Sequence, residues 1–478
     1  MRTLAILVLA ALPVLAAEKP NIVFILADDM GIDAVSAYNE KMGPIKTAHI
    51  DRLISEGMDF SDAHSGSAVC TPTRYGLLTG RYCWRTELKK EVLWDYGRPL
   101  IEKDRLTVAE FLRDHGYTTG MVGKWHLGLD WYDAEGGLAN KDLRIEDAVW
   151  KPKSRERILA CAEKIDFTKP VTGGPLDHGF DYYFGVDLPN MPPYAWIEGD
   201  RLTAQPTVPK PKTMFGTEGP MVPGWQLEEI LPALTSKSTA WIKEQAKKEK
   251  PFFLYLSLTS PHTPISPSEP FQGKSGITAF GDFLIETDWV VGEVMKCLDE
   301  AGVADDTMLI FATDNGTAAA CKFDQLKKKG VDLRHTLKGI KSMIHEGGHR
   351  VPFVVRWPGK TKPGTTCKEV ICLNDFMATV ADMLGAELPN NAAEDSTSIL
   401  PLLTGEAKTL PDRPMVVNHD YRGNFAIRDG KWKLVGEQLF DLDADLKETT
   451  DIAEKHPEVV KRLSATLKTY QESGRSRP

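Results

Sequence analysis

Cys70 is the residue whose surroundings most favour chemistry. It stands in Ser67-Ala68-Val69-Cys70-Thr71-Pro72-Thr73-Arg74-Tyr75-Gly76-Leu77-Leu78-Thr79-Gly80-Arg81. Thr71-Pro72 marks a first helical turn, where proline's missing N–H costs nothing. A cysteine at that end faces unpaired amides, with Arg74 one turn on, so the spot suits an anion. A buried cysteine capping an ordinary helix is the plainer alternative. Asp28-Asp29 and Asp314-Asn315 offer three carboxylates and an amide oxygen. Adjacent carboxylates repel unless something positive compensates, which points to a hard cation; a helix cap or turn is the other reading. Arg74, Lys124 and Lys341, with His126 and His262, supply the positive and titratable groups an anion needs. Together they suit hydrolysis of a sulfate or phosphate ester, where charge develops on nonbridging oxygens.

The elements that must position these residues alternate between strand and helix. Asn21-Ile22-Val23-Phe24-Ile25-Leu26-Ala27 is a continuous apolar run, the pattern of a strand covered on both faces. It ends on Asp28-Asp29. Tyr117 to Val122 reads as a second strand, running into Lys124 and His126, which alternate along an extended segment and so project to one side. Pro251 to Leu258 exits toward His262 between two prolines that fix its direction. Thr307 to Thr313 ends on Asp314-Asn315. Helices are predicted over Thr107–His115, Leu234–Lys250 and Phe280–Ala301. Alternation of this kind predicts an α/β layered domain with a largely parallel sheet, whose ligands sit beyond the strands' carboxyl ends. Residues 130–225 lack sustained periodicity and read as long, functional loops, with Asp187 to Trp225 as a candidate aromatic pocket wall. The stretch Leu337 to Pro352 is Gly-rich and basic. A boundary is expected near residue 365, with a small α+β subdomain over 366–478. It holds a helix at Phe376–Leu384, strands at Asn424–Arg428 and Lys431–Val435, and a closing helix from Pro457 to Tyr470.

Composition narrows the partners. At 42% hydrophobic and 26% charged, the chain is an ordinary globular one. Its net charge of −9 argues against nucleic acid or an anionic membrane as main partner. Met1-Arg2-Thr3, the apolar run Leu4 to Leu15 and the small residues to Ala17 read as a signal peptide over 1–17. Export and the absence of a membrane span follow as expectations. Seven cysteines fit an oxidising compartment without demanding one, and Cys367 and Cys372 are close enough in sequence to pair.

Cys-x-Pro-x-Arg followed by Leu-Thr-Gly-Arg resembles the core signature of the type I sulfatases, whose usual serine is Thr73 here. Asp28-Asp29, Lys124/His126, Gly179-Phe180-Asp181, His262, Asp314-Asn315, Lys341 and Glu346-Gly347-Gly348-His349-Arg350-Val351-Pro352 match in the same order, through Trp432-Lys433-Leu434 and Leu439-Phe440-Asp441-Leu442. The resemblance implies an alkaline-phosphatase-like α/β/α fold, with residues 18–365 as catalytic domain. It implies that Cys70 is oxidised to a formylglycine by a formylglycine-generating enzyme. One Ca²⁺ would be held by Asp28, Asp29, Asp314, Asn315 and the modified Cys70. In the implied reaction the hydrated aldehyde attacks sulfur, activated by the cation and Arg74. Lys124, Lys341 and His262 bind the sulfate, His262 or Asp314 protonates the leaving alcohol, and His126 takes a proton as sulfate departs. The implied substrate is a sulfated carbohydrate or aryl sulfate. Two alternatives stand beside it: a phosphatase or phosphodiesterase of the same superfold, and a glycan-binding protein in which Cys70 stays a thiol.

Overall fold

The computed structural model describes residues 19–477, so the signal-peptide reading over 1–17 lies outside them. Five parallel strands form the centre of a ten-stranded sheet, in the order Thr307–Thr313, Asn21–Ala27, Phe252–Ser257, Thr118–Lys124, Tyr182–Val186. Phe353–Arg356, Met58–Phe60 and Thr365–Cys367 extend one edge; Ile197–Glu198 and Arg201–Leu202 extend the other.

Asn21–Ala27 shows why the centre is apolar on both faces. Ile22, Phe24 and Leu26 enter one core, while Val23, Ile25 and Ala27 enter the second, as strand alternation requires. The first core packs under helices Cys70–Thr79, Val108–Asp114 and Phe376–Met383; the second packs under Ala48–Glu56, Ile230–Gln245 and Ala279–Glu300. The result is the expected α/β/α sandwich. A separate four-stranded antiparallel sheet, Val416–His419 through Gln438–Asp441, packs on the closing helix Pro457–Ser473 through Val459 and Leu463.

Two expectations are corrected. Residues 130–225 are not wholly irregular: they hold helix Pro152–Ala162 and the strand Tyr182–Val186, a full member of the parallel sheet. The helix buries only Ser154, Ile158 and Cys161, too narrow a stripe for a clear helical period. Cys367 and Cys372 are both free thiols. They belong to different sheets, Cys367 to the large one and Cys372 to a two-stranded pair with Ala63–His64, so closeness in sequence does not bring them together. Among the described residues no helix is long and apolar enough to cross a membrane.

Candidate active site

All five central strands end at the same point, and each end delivers a polar group. Ala27 runs into Asp28 and Asp29, Thr313 into Asp314 and Asn315, and Lys124 closes its own strand. Ser257 leads to His262, and Val186 to Asp187. Helix Cys70–Thr79 points its N-terminus there. Val69 provides no side-chain cap, so the first amides stay free to meet an anion. Thr73 donates its hydroxyl to Ser67 O or Val69 O, both 3.1 Å away, so its side chain is held against the turn that precedes the helix.

Charge is closely balanced within this buried space. Lys124 Nζ lies 2.6 Å from Asp28 Oδ2, and Arg74 Nη2 lies 2.7 Å from Asp314 Oδ2 and 3.6 Å from Asp28. Lys341 Nζ lies 2.5 Å from Asp29 Oδ1 and 3.3 Å from Cys70 Sγ. Cys70 Sγ also sits 3.6 Å from Asp28 Oδ1. Burial opposes ionisation of Asp28, but Lys124, His262, Arg74 and Lys341 outweigh it and hold this carboxyl well below its usual range. Burial and the Asp28 charge push Asp314 up to about 7. Burial drives the Cys70 thiol well up, so the sulfur is a thiol rather than a ready thiolate.

The two histidines have defined tautomers, because a carbonyl can only accept. His126 Nε2–H donates to Leu93 O at 3.1 Å, leaving Nδ1 as a buried lone pair without a partner among the described residues. Burial, then Lys124 and Arg74, depress its pKa well below the usual value. His126 therefore stands as a neutral base. Its backbone leaves the expected extended path: φ is +56°, so the chain turns sharply after Lys124. His262 Nδ1–H donates to Thr263 O, and Nε2 stands 3.7 Å from Asp29 Oδ2. Burial lowers its pKa to about 4.

The predicted metal ligands do come together. Asp29 N donates to Asp314 Oδ1 at 3.1 Å, and Asn315 Nδ2 to Asp29 Oδ1 at 2.8 Å. Asn315 Oδ1 is buried without a partner among the described residues. Asp28, Asp29, Cys70 and His262 each place a ligand atom within 4.8 Å of the others. Three carboxylates and an orphaned amide oxygen fit a hard cation.

Three contributors escaped the sequence reading. Ser257 Oγ accepts from Arg74 Nη1 at 2.5 Å and donates to Lys124 O at 2.7 Å. Asp187 accepts the His126 N–H at 3.0 Å, and burial lifts its pKa to about 7. Gly316 lies so close to the second loop that a Cβ there would stand 1.8 Å from Gly347 O. That contact requires glycine at 316 and lets the loop carrying Lys341 press against the loop carrying Asp314 and Asn315. A Cβ at Gly347 or Gly348 would stand 2.4 Å from Gly339 O or 1.9 Å from Met343 O, within the Lys341 loop itself. Asp187 stood only as the start of the candidate pocket wall; its signal as a site residue is that it is the first polar residue after Phe184-Gly185-Val186.

Comparison with known proteins agrees with this geometry. A sulfatase family model matches residues 20–386, and a model for the C-terminal part of N-sulphoglucosamine sulphohydrolase matches residues 339–473. An N-acetylgalactosamine-6-O-sulfatase of Bacteroides thetaiotaomicron is 32% identical over 95% of this chain and 93% of its own. Arylsulfatase A of Homo sapiens is 31% identical over 90% of this chain and 77% of its own. A solved structure concerned with metabolism of multiple glycosaminoglycans by Bacteroides thetaiotaomicron superposes with TM-score 0.81 at 30% identity, over 95% of this chain and 100% of that one. A phosphonate monoester hydrolase of Agrobacterium radiobacter shares the fold at TM-score 0.59 and 18% identity, over 95% of this chain and 96% of its own. The fold and the charged pocket define a hydrolase of anionic esters. More narrowly, the chain belongs to the type I sulfatase family and is a sulfuric ester hydrolase.

Proposed function

We propose that this enzyme removes sulfate from sulfated sugars, using a formylglycine made from Cys70 and one bound Ca²⁺. The observation that carries the reading is the position of Cys70 Sγ, at a free helix N-terminus between Lys341 Nζ and Asp28 Oδ1. Sugar substrates are favoured by the N-acetylgalactosamine-6-O-sulfatase relative. Maturation by a formylglycine-generating enzyme and export belong to the same reading.

Asp28, Asp29, Asp314 and Asn315 would hold the cation, which when bound neutralises charge on the sulfate and on the oxygen at position 70. Lys124 and Lys341 place positive charge beside the sulfate's nonbridging oxygens. Arg74 is oriented by Asp314 and Ser257 and supplies fixed charge at the attacking oxygen. His126 Nδ1 takes the proton from the second hydroxyl at position 70, with its ring held by Leu93 O and its backbone by Asp187. Asp314 is committed through Oδ1 to Asp29 N and through Oδ2 to Arg74, so His262 is the donor to the leaving alcohol. Its low pKa leaves it neutral until an anionic ester arrives to favour the charged ring.

The direct test is mass spectrometry of the tryptic peptide Leu53 to Arg74, from protein made in its own host. Residue 70 is expected to be lighter than cysteine, by the difference between a thiomethyl group and an aldehyde. An unmodified thiol in a preparation without turnover would overturn the reading. A separate expectation concerns the cation: Ca²⁺ added to chelator-treated protein raises the melting temperature, and Asp28→Asn abolishes the rise. No response in either protein would remove calcium from the proposal.

A further inference from the structure

A continuous set of contacts leads from the site to a pair of tryptophans. Ser342, next to Lys341, donates its N–H to Ala68 O at 2.8 Å and accepts from Tyr421 N at 3.4 Å. Tyr421 O accepts from Glu91 N at 2.8 Å, and the Glu91 carboxylate faces Lys151 Nζ at 3.3 Å. The residue before Lys151 is Trp150, 50% exposed and packed edge-to-face on Trp94 at 4.0 Å between centroids. A second, shorter route reaches the same place. Leu93 accepts the His126 Nε2–H and donates its own N–H to Thr71 Oγ1 at 3.3 Å, and Trp94 is the next residue.

Beside this pair opens a cavity of about 580 Å³, a size typical of small-ligand sites. Val149 and Asp95, the neighbours of the two tryptophans, line it, as do Ile158 and Leu159. Asp95 lies at most about 7 Å of extended backbone beyond Leu93. Asp95 Oδ2 accepts from Thr217 Oγ1 at 2.7 Å, while Asp95 Oδ1 and Tyr96 OH are buried behind the cavity wall without partners among the described residues. The segment 206–220 forms the other wall and carries Phe215, 53% exposed, and the cations Lys210 and Lys212. Arg155 is paired to Glu218 at 3.0 Å, so the two together add no net charge to the cavity.

Exposed aromatic faces, an apolar cavity beside them and cations at one edge are complementary to a sugar ring and a nearby sulfate. We propose that Trp94, Trp150 and the adjoining cavity form a subsite for a second residue of a sulfated glycan, so that the enzyme acts on oligosaccharides in preference to isolated sugars. This deepens the sulfated-sugar reading and rests on it. The aromatic and apolar wall takes the ring's C–H face, and Lys210 and Lys212 meet the charge of the chain. The reacting sulfate stays at Cys70.

The test compares kcat/KM for sulfated tetrasaccharides from chondroitin sulfate, heparin and carrageenan with that for an aryl sulfate. It uses the wild type, Trp150→Ala and Trp150→Phe. For whichever tetrasaccharide is turned over, Trp150→Ala is expected to lower the tetrasaccharide-to-aryl-sulfate ratio roughly tenfold, through KM, and Trp150→Phe to restore most of it. An unchanged ratio, or equal loss on both substrates, would overturn the subsite. If the wild type hydrolyses no sulfate ester, the underlying reading fails instead. Tetrasaccharide binding followed by tryptophan fluorescence then decides the subsite: weakened by Trp150→Ala it stands, and unaffected by that change it falls.

Discussion

Cys70→Ala is expected to abolish sulfate ester hydrolysis, with a loss of roughly 10⁴-fold or more, while the protein stays folded. Loss on that scale accompanies removal of a nucleophile whose partners act as a unit. The surrounding groups are built to act that way. Lys341, Asp28 and the helix N-terminus all converge on residue 70, and without a nucleophile there they still bind anions but have nothing to activate. The structural cost is small, because only one atom leaves a buried site, which costs about 1–2 kcal/mol. Initial rates on an aryl sulfate, beside a thermal melt and a sulfate-binding titration, check the expectation. A variant that melts and binds sulfate like the wild type but turns over nothing confirms it. Retained hydrolysis would mean that the attacking group comes from elsewhere, and the chemistry assigned to Cys70 would fall.

Much of this site was legible because parallel sheets announce their ligand side. An apolar run that ends abruptly on Asp28-Asp29 or Asp314-Asn315 is a buried strand emerging at its carboxyl end. Lys124 carries the same signature. Less visible were residues that act through the backbone or from irregular chain. Ser257 is simply the last residue of Phe252–Ser257, and nothing local shows that Arg74 needs it. Trp94 and Trp150 sit outside regular elements, in stretches without periodicity, and only the tertiary fold sets one against the other. Tyr182–Val186 was obscured because it is short, contains Gly185, and follows a helix too weakly amphipathic to be seen.

Glu346 to Pro352 is a family-like segment within the Gly-rich, basic stretch Leu337 to Pro352, yet its Glu346 carboxylate and His349 ring pair with Lys433, Arg428 and His64 and not with the groups around Cys70. His64, Glu346 and His349 cluster closely enough to hold a metal, but Lys433, Arg428 and Arg350 occupy the space instead. Lys433 Nζ stands 3.2 Å from His349 Nε2, His349 Nδ1 stands 3.0 Å from His64 Nδ1, and His64 Nε2 stands 2.7 Å from Asp62. A lysine can only donate. The Ile344 carbonyl, 2.9 Å from the same His349 Nε2, can only accept, so the two buried rings link Lys433 and Ile344 O to Asp62, with burial lowering the pKa of both rings. Lys433 also lies 2.9 Å from Glu346 and 2.8 Å from Glu448, all within the interior.

Lys433→Met is accordingly expected to cost about 3–5 kcal/mol at pH 8, the range for removing one partner of a buried ion pair. Glu346 keeps Arg350 and Arg428, so the uncompensated charge falls on Glu448. Burial already raises the pKa of that carboxyl, and Lys433 is the charge that opposes the rise. Without the lysine, the folded-state pKa climbs further above the unfolded value. The folded variant then binds its proton more tightly than the unfolded chain, so its stability increases as pH falls through the raised value. The penalty should shrink toward pH 5. Denaturant unfolding of both proteins at pH 5 and pH 8 measures it; a loss below about 1 kcal/mol, or one independent of pH, would show that Lys433 is not the counter-charge. The consequence reaches the active site through one loop. Lys433 lies on a strand of the small sheet and holds Ile344 O at 3.0 Å, three residues from Lys341. Activity of the variant should thus be lost on warming before the parallel sheet melts, because the loop that presents Lys341 has lost its anchor to the small sheet.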